Sequence, residues 1–447
     1  MTREEARALA DRVLALSKGA DQTRVNITSS WSGNTRFADA SISTSGGVTD
    51  VIVEVTVTIG RRRASASTNV LDDASLRRTV DLAAQLARLS PDDPELMPEL
   101  GPQQHVIVNA YIEDTANLAP AARAGAVQRT INGTGGGQIF SAGFLDAHAT
   151  AIAVATSNGL FAFHRTTDAE LSMTARTPDG TGSGWASAGS RDWGKIDPAA
   201  IGRAAARKAE SSRNPQALEA RPMTAVLEPQ AANDLVPLLA GALNARAADE
   251  GRSAFSKPGG GTRIGEKVMD ERVTLYSDPA DPDLLAMPFD VEGFPLKRTV
   301  WIEKGVLKNL SYTRFWAQRQ KVPPTGTRTY DGTSNVLGGG LKMTGGTKTT
   351  DELIAGCERG VLVTHFFYIR SLEPRTVLYT GLTRDGAFLI ENGKVVRPLK
   401  NLRWNESPLL MLTRLEDIGR PEAVAAGRHM PALRIRNFNF TSLSDAV

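Results

Sequence analysis

Residues 379–398 read YTGLTRDGAFLIENGKVVRP, a strand pattern broken at Asn392-Gly393. Asn-Gly between apolar runs is the strongest short hairpin signal, because both central turn positions need positive φ. Asn392-Gly393 therefore reads as a hairpin turn. Lys304-Gly305 offers a second hairpin turn, and Thr349 with Glu352 the capping box of a short helix. From Pro222 onward the sequence shows one longer helix, about Pro229 to Ala248, and otherwise strands, hairpins and glycine-rich loops. The C-terminal half is expected to be β-rich with few helices.

Upstream the period changes. Thr2 and Glu5 form a capping box ahead of Leu9, Val13 and Leu16, which predicts a helix over about residues 3–18. Val51, Val53, Val55, Val57 and Ile59 alternate with their neighbours as in a half-buried strand, and the turn Gly60 to Arg63 leads to a partner at Ala64 to Thr68. Asp72 or Asp73 caps a second helix with Leu76, Val80, Ala83, Leu86 and Leu89 on one face. A Pro/Asp/Glu-rich stretch from Ser90 to Pro102 reads as an exposed loop. A short helix near Ala121 to Thr130, a hairpin at Ser157-Asn158-Gly159 and a helix opened by Asp197-Pro198 follow. Consecutive hairpins with helices, not alternating βαβ units, indicate an α+β fold. A boundary falls in the proline-bearing segment Ser211 to Pro222. It separates an N-terminal α+β domain of antiparallel hairpins packed with helices (1–215) from a C-terminal β-rich domain (222–447).

A net charge of +3 over 447 residues argues against nucleic acid or an anionic membrane as a partner. There is no run of 18 apolar residues, the N-terminus lacks a signal-peptide core, and the single cysteine, Cys357, suits a reducing compartment. The cytoplasm is the expected location.

Chemistry is sparse in the sequence. No two of His105, His148, His164, His365 and His429 lie within one helical turn, so no helix supplies a pair of zinc ligands. Cys357 and His365 could meet across a helix-to-strand connection, although a buried thiol and a strand histidine account for them more simply. The stretch GTGSGWASAG (Gly180 to Gly189) reads as a glycine-rich loop, not a nucleophile elbow. The clusters Gly133 to Gly137, Gly259 to Gly261 and Gly338 to Gly340 fit no phosphate-binding pattern and read as loops. Arg61-Arg62-Arg63 reads as a solvated hairpin tip. The pairs Asp281/Asp283 and Asp290/Glu292 could hold a cation or act as acid and base, but loop polarity explains such spacing.

The stretch 379–398, with Thr380-Gly381, Gly386 and Glu391-Asn392-Gly393, resembles the closing element of the TldD/PmbA family. LLAMPFDVEGFPLKRTVWIEKGVLKN (Leu284 to Asn309) resembles the same family through Phe289, Asp290, Gly293 and Gly305. The resemblance implies a metallopeptidase fold whose active members carry H-E-x-x-x-H on a helix and a cysteine near the C-terminus. Here the helix of corresponding order, within Ala231 to Phe255, has no histidine, and Glu250 at its end is the only candidate catalytic glutamate. The stretch Val424 to Pro431, where that cysteine is expected, has none, and His429 is only an approximate neighbour of the position.

The resemblance therefore points to the PmbA/TldE branch. It implies a non-catalytic subunit with no catalytic, cofactor or metal residues of its own, and with zinc held by a TldD-type partner in a heterodimer or larger assembly. Its substrates would be extended peptides, such as leader peptides and unfolded small proteins, and Phe289, Asp290, Gly293, Gly305, Thr380, Gly381, Glu391, Asn392 and Gly393 would serve fold or interface. The alternatives are a stand-alone binding or regulatory protein without peptidase activity, or a peptidase with a rearranged metal site using Cys357, His365 or His429.

Overall fold

The computed structural model describes residues 1–136, 139–285, 287–326 and 340–444. Its first half is a six-stranded antiparallel sheet, ordered β3-β2-β1-β4-β5-β6. The strands are β1 (Gln22–Ala38), β2 (Ser41–Ile59), β3 (Arg62–Thr68), β4 (Phe140–Thr156), β5 (Phe161–Arg176) and β6 (Ser183–Ser190). The helices on it are α1 (Arg3–Leu16), α2 (Asp73–Leu89), α3 (Glu113–Ala116), α4 (Pro120–Asn132) and α5 (Pro198–Ser211). The capping box of Thr2 and Glu5 starts α1, and the Asp72 and Asp197 side chains cap α2 and α5. Ala6, Leu9 and Val13 of α1 pack with Leu76, Val80 and Ala83 of α2 over Val25, Ile27, Val53 and Val55 of the sheet. Farther along, α4 and α5 cover Phe37, Leu145, Leu171 and Met173.

Strand β1 is not evident in the sequence, because its stretch NITSSWSGNTR is dominated by Ser, Thr and Asn and hides the two-residue period. Gly180 to Gly182 of GTGSGWASAG lie in the turn that precedes β6, and the remainder, Ser183 to Gly189, is strand β6, not a loop. Its glycines are packing positions: a Cβ on Gly184 would lie 2.3 Å from the Ala205 carbonyl of α5, and one on Gly189 2.3 Å from the Ala426 amide. The hairpin at residues 157–159 forms as expected, with Gly159 alone at positive φ, while Asn158 donates from its side chain to the Glu99 carbonyl. The acidic loop 90–102 is pinned, not free. Arg62 and Arg63, at the exposed tip of the β2–β3 hairpin, pair with Asp92 and Asp93, and buried Glu99 pairs with Arg24.

The second half carries an eleven-stranded mixed sheet along the path β10-β9-β8-β11-β17-β15-β13-β12-β7, with β14 and β16 paired to β13 and β17. Its strands are β7 (Pro222–Leu227), β8 (Leu275–Ser277), β9 (Thr299–Glu303), β10 (Val306–Leu307), β11 (Leu341–Met343), β12 (Arg359–Glu373), β13 (Leu378–Glu391), β14 (Lys394–Leu399), β15 (Leu402–Glu406), β16 (Leu415–Ala425) and β17 (Arg428–Leu443). Short helices α6 (Pro229–Leu235), α7 (Ala245–Asp249), α8 (Arg314–Gln320), α9 (Thr350–Ala355) and α10 (Pro408–Met411) lie among them. Trp301, Phe366, Trp404, Phe438 and Phe440 are at the centre of its core.

Both type I′-like turns form: Lys304-Gly305 and Asn392-Gly393 have positive φ at both positions. The helix expected over Pro229–Ala248 does not run through. It breaks into α6, a 3₁₀ segment Val236–Leu243, and α7, because Pro237 has no N–H to donate and its ring clashes with the preceding turn. Gly259, Gly260 and Gly261 make a tight loop with φ positive throughout; Gly137, Gly338 and Gly339 lie outside the described residues. Among the described residues no helix is long and apolar enough to cross a membrane.

Candidate functional site

Within residues 379–398, strand β13 departs from regular pairing with β12. Between the pairs Val363↔Ala387 and His365↔Arg384, two residues of β13 face one of β12, a bulge at Asp385-Gly386. Asp385 has φ +54° and Gly386 +126°, and the Thr364 hydroxyl is 3.1 Å from both of their carbonyls. The bulge swings the Asp385 carboxylate toward the first sheet, where it accepts from Ser183 Oγ at 2.5 Å and faces His365 Nδ1 at 3.4 Å. Burial opposes charge on Asp385, but the hydrogen bonds from His365 and Ser183 and the charge of Arg384 outweigh it and hold the carboxyl below its usual range.

His365 is stacked on Trp185 of β6, with ring centroids 4.7 Å apart and planes 11° apart. On its other side Asp234 Oδ2, from α6, lies 4.0 Å from Nε2. Asp234 accepts the Phe366 amide at 2.8 Å and the Gln230 side chain at 2.8 Å, and burial raises its carboxyl despite the nearby His365. One imidazole thus sits between two carboxylates, where α6, β12, β13 and β6 meet. Ser183 donates to the acid and not to the imidazole, so the Ser183-Asp385-His365 order lacks the base-on-hydroxyl contact that nucleophilic catalysis needs.

The first sheet continues this line of charge. On β4 and β5 Asp146 lies opposite Glu170 and His148 opposite Asp168, and His148 Nε2 is 3.1 Å from Asp146 Oδ2. That hydrogen bond raises the His148 pKa, while burial, with Asp146 close by, raises Glu170.

The motif positions expected from the sequence are distributed over the fold. Phe289 fills a pocket of Ile152, Val154, Leu160 and Ala162 on the first sheet. Asp290 shapes the turn behind it, accepting the Glu292 and Phe294 amides at 2.9 Å each. Gly293, at φ +79°, passes so close that a Cβ would lie 2.2 Å from Leu160, and its carbonyl meets His105 Nε2. These three form one clasp between the two halves. Gly305 turns β9 into β10 against the Met269 carbonyl, and Gly393 turns β13 into β14 against the Ala355 carbonyl. Asn392 donates its amide to Glu358, and Glu391 lies 3.9 Å from Arg359. Thr380 bonds the Trp404 carbonyl and Gly381 makes room for the Trp404 ring.

The candidate metal donors do not converge. Cys357 is buried among Leu353, Leu362, Phe388 and Ile390, with its thiol pushed up by burial. His429 faces Asp283 at 3.9 Å, and burial lowers its pKa. Asp281 and Asp283 are occupied by Lys342 at 3.2 and 2.8 Å, and Glu292 by Arg314 at 3.3 Å. Among the described residues no group of three or more His, Cys, Asp or Glu is placed to hold a metal ion. Asp234, Ser183, Trp185 and Asp385 were not singled out from sequence. The available signal was Asp-Gly inside a strand pattern, which marks a bulge.

Two family models match the chain. That of the PmbA/TldA metallopeptidase central domain covers residues 107–213, and that of the C-terminal domain of the same metallopeptidases covers residues 220–442. A metalloprotease of Methanothermobacter thermautotrophicus is 26% identical over 193 residues, 39% of this chain and 41% of that protein. One from Archaeoglobus fulgidus is 28% identical over 166 residues, 35% of this chain and 37% of that protein. The chain thus spans about two fifths of the length of the curated relatives it matches. The crystal structure of TldE from Thermococcus kodakarensis superposes with a TM-score of 0.85 at 17% identity, covering 98% of this chain and all of that one. At that identity the likeness shows the fold alone.

Proposed function

The chain belongs to the PmbA/TldD family of metallopeptidases, and from that premise we propose that it is the non-catalytic, TldE-like subunit of a heteromeric zinc peptidase acting on extended peptides. The observation that carries this reading is the fate of the segment Ala231–Phe255. It holds no histidine, and Pro237 breaks the run from Pro229 to Asp249 into a seven-residue helix, a 3₁₀ stretch and a five-residue helix. Two ligands one turn apart need a continuous helix, and neither the helix nor the residues are there. Glu250 does not stand ready as a general base, because its two carboxylate oxygens accept from Arg246 and Arg252 at 2.9 and 3.1 Å. Among the described residues no group of His, Cys, Asp or Glu fits zinc, so no step is assigned to the metal in this chain. In this reading a TldD-type partner brings the zinc, and this chain contributes sheet, loops and walls to an enclosure in which a peptide lies extended. Main-chain pairing makes such binding tolerant of sequence.

The test is to purify the chain alone and together with a TldD-type subunit, then measure bound zinc and cleavage of an unstructured peptide. The mixture should contain zinc and cut, and the isolated chain should do neither. Stoichiometric zinc with cleavage by the isolated chain would overturn the proposal.

A further inference from the structure

On the helix-covered face of the first sheet, α1 and α2 pack over one region and α4 and α5 over another. Between these two packed regions the same face opens into a cavity of about 850 Å³. Directly opposed residues of neighbouring strands share a face, so Thr49 of β2, Trp31 of β1 and Ala149 of β4 form one row of its floor. Ser29, Ala151 and Arg165 form the next. Arg123, reaching down from α4, closes the β2 side. At the β5 side the Arg165 guanidinium lies 4.0 Å above the centre of the Tyr111 ring. No aspartate or glutamate is among the described residues that line the cavity.

Arg123 is 2% exposed, and its guanidinium donates to the Leu118 carbonyl at 2.7 Å, the Gly46 carbonyl at 3.0 Å and the Thr35 hydroxyl at 3.4 Å. All three acceptors are neutral. They tie α4 to the sheet but leave the positive charge uncompensated, whereas a buried charge is ordinarily met by an opposite one. Desolvation accordingly lowers the Arg123 pKa with no carboxylate to oppose it. Gly33 belongs to the same arrangement: a Cβ there would lie 2.6 Å from Arg123 Nη1 and 2.7 Å from Trp31 Cζ2, so a side chain at this position would displace both the guanidinium and the indole. We propose that the cavity binds a small organic anion, whose carboxylate or phosphate oxygens supply the missing counter-charge at Arg123 and whose flat body lies along Trp31. A cavity with a few fixed polar groups around an aromatic wall suits such a ligand, and a guanidinium suits its oxygens. Arg165 adds a second positive charge on the far side.

The experiment follows the indole N–H signal of Trp31 in nitrogen-15 NMR of the full chain, identified among the six tryptophans by its loss in Trp31→Phe. Phenyl phosphate and phenylacetate are titrated in separately, with benzyl alcohol as the uncharged counterpart. At least one anion should shift the signal saturably, and benzyl alcohol should not; which anion binds more tightly identifies the head group as phosphate or carboxylate. Arg123→Gln should weaken that binding about tenfold or more, as expected for losing a charge-assisted contact. Arg123→Lys shares the loss of the forked hydrogen bonds but keeps the charge, and should bind more tightly than Arg123→Gln. Arg165→Ala, at an exposed position that leaves the fold intact, should weaken binding by a smaller factor and serves as the test if the Arg123 variants do not fold. The proposal is overturned by a Trp31 signal silent toward both anions, by equal response to benzyl alcohol, or by anion binding that is indifferent to Arg165→Ala and the same in Arg123→Gln and Arg123→Lys. None of these outcomes bears on zinc or cleavage, so the proposed peptidase role stands or falls separately.

Discussion

His164 on β5 shows how one buried side chain links fold stability to pH. It is 6% exposed, and burial, with the charge of Arg191, lowers its pKa from 6.5 to about 4. In the unfolded chain the imidazole takes up its proton near pH 6.5, while in the fold it resists until about 4. Between those values the unfolded state binds more protons, so this residue's contribution is full above pH 6.5 and is lost as pH falls to 4. The loss is on the order of 3 kcal/mol. Asp168 and Glu170 act in the opposite sense, because burial raises their carboxyls and they hold protons more readily in the fold. The comparison must therefore be made against a His164→Leu variant. Urea unfolding at pH 7 and pH 4.5 should show a smaller pH difference for the variant than for wild type. An unchanged difference would mean that His164 does not titrate on unfolding. Asp385 is the contrasting case: the same desolvation is outweighed there by a serine and an imidazole that the bulge brings within reach.

Elements follow from the sequence where their signals are local. Caps at Thr2, Asp72, Asp197 and Thr349, and the turns at Lys304-Gly305 and Asn392-Gly393, depend only on residues within a few positions of one another. They could be read off directly. Strand β6 could not, because its glycines answer to α5 and to the Ala425-Ala426 turn, which lie far away in sequence. The seam at His365 was illegible for the same reason: Ser183 and Asp385 are 202 positions apart, and nothing in either neighbourhood announces the other. Pro237 was a local signal that the apolar periodicity of Val236 to Leu243 masked. The glycine account of β6 has a direct consequence. Gly184→Ala places a methyl group 2.3 Å from the Ala205 carbonyl, and since that contact is backbone, α5 must move off the strand. A loss of about 1–3 kcal/mol in urea-unfolding stability is expected. Gly180→Ala, whose Cβ would meet nothing within 4 Å, tests strain without contact through its φ of +69° and should cost less. Equal costs for the two would argue against the packing role of Gly184.

At the scale of the whole molecule, two separately cored sheets behave as one body only if the contacts between them are strong. Two such contacts stand out. The polar seam runs from Ser183 and Trp185 to His365 and Asp385, and Lys208 supports it by reaching Glu228 at 2.6 Å. The apolar clasp inserts Phe289 into Ile152, Val154, Leu160 and Ala162, with Asn26 donating to the Val291 carbonyl at 2.8 Å beside it. The clasp should dominate, because a ring that is 1% exposed contributes through burial, whereas the seam's hydrogen bonds largely replace bonds to water. Phe289→Ala is accordingly expected to cost about 3–5 kcal/mol. The loss falls between the cores and not within either, so it should also reduce cooperativity. Wild type should unfold in one urea transition seen alike by far-ultraviolet circular dichroism and tryptophan fluorescence, and Phe289→Ala in transitions that no longer coincide. A variant that merely shifts one coincident transition to lower urea would place the coupling in the polar seam instead, and Lys208→Ala would then be the substitution that separates the two probes.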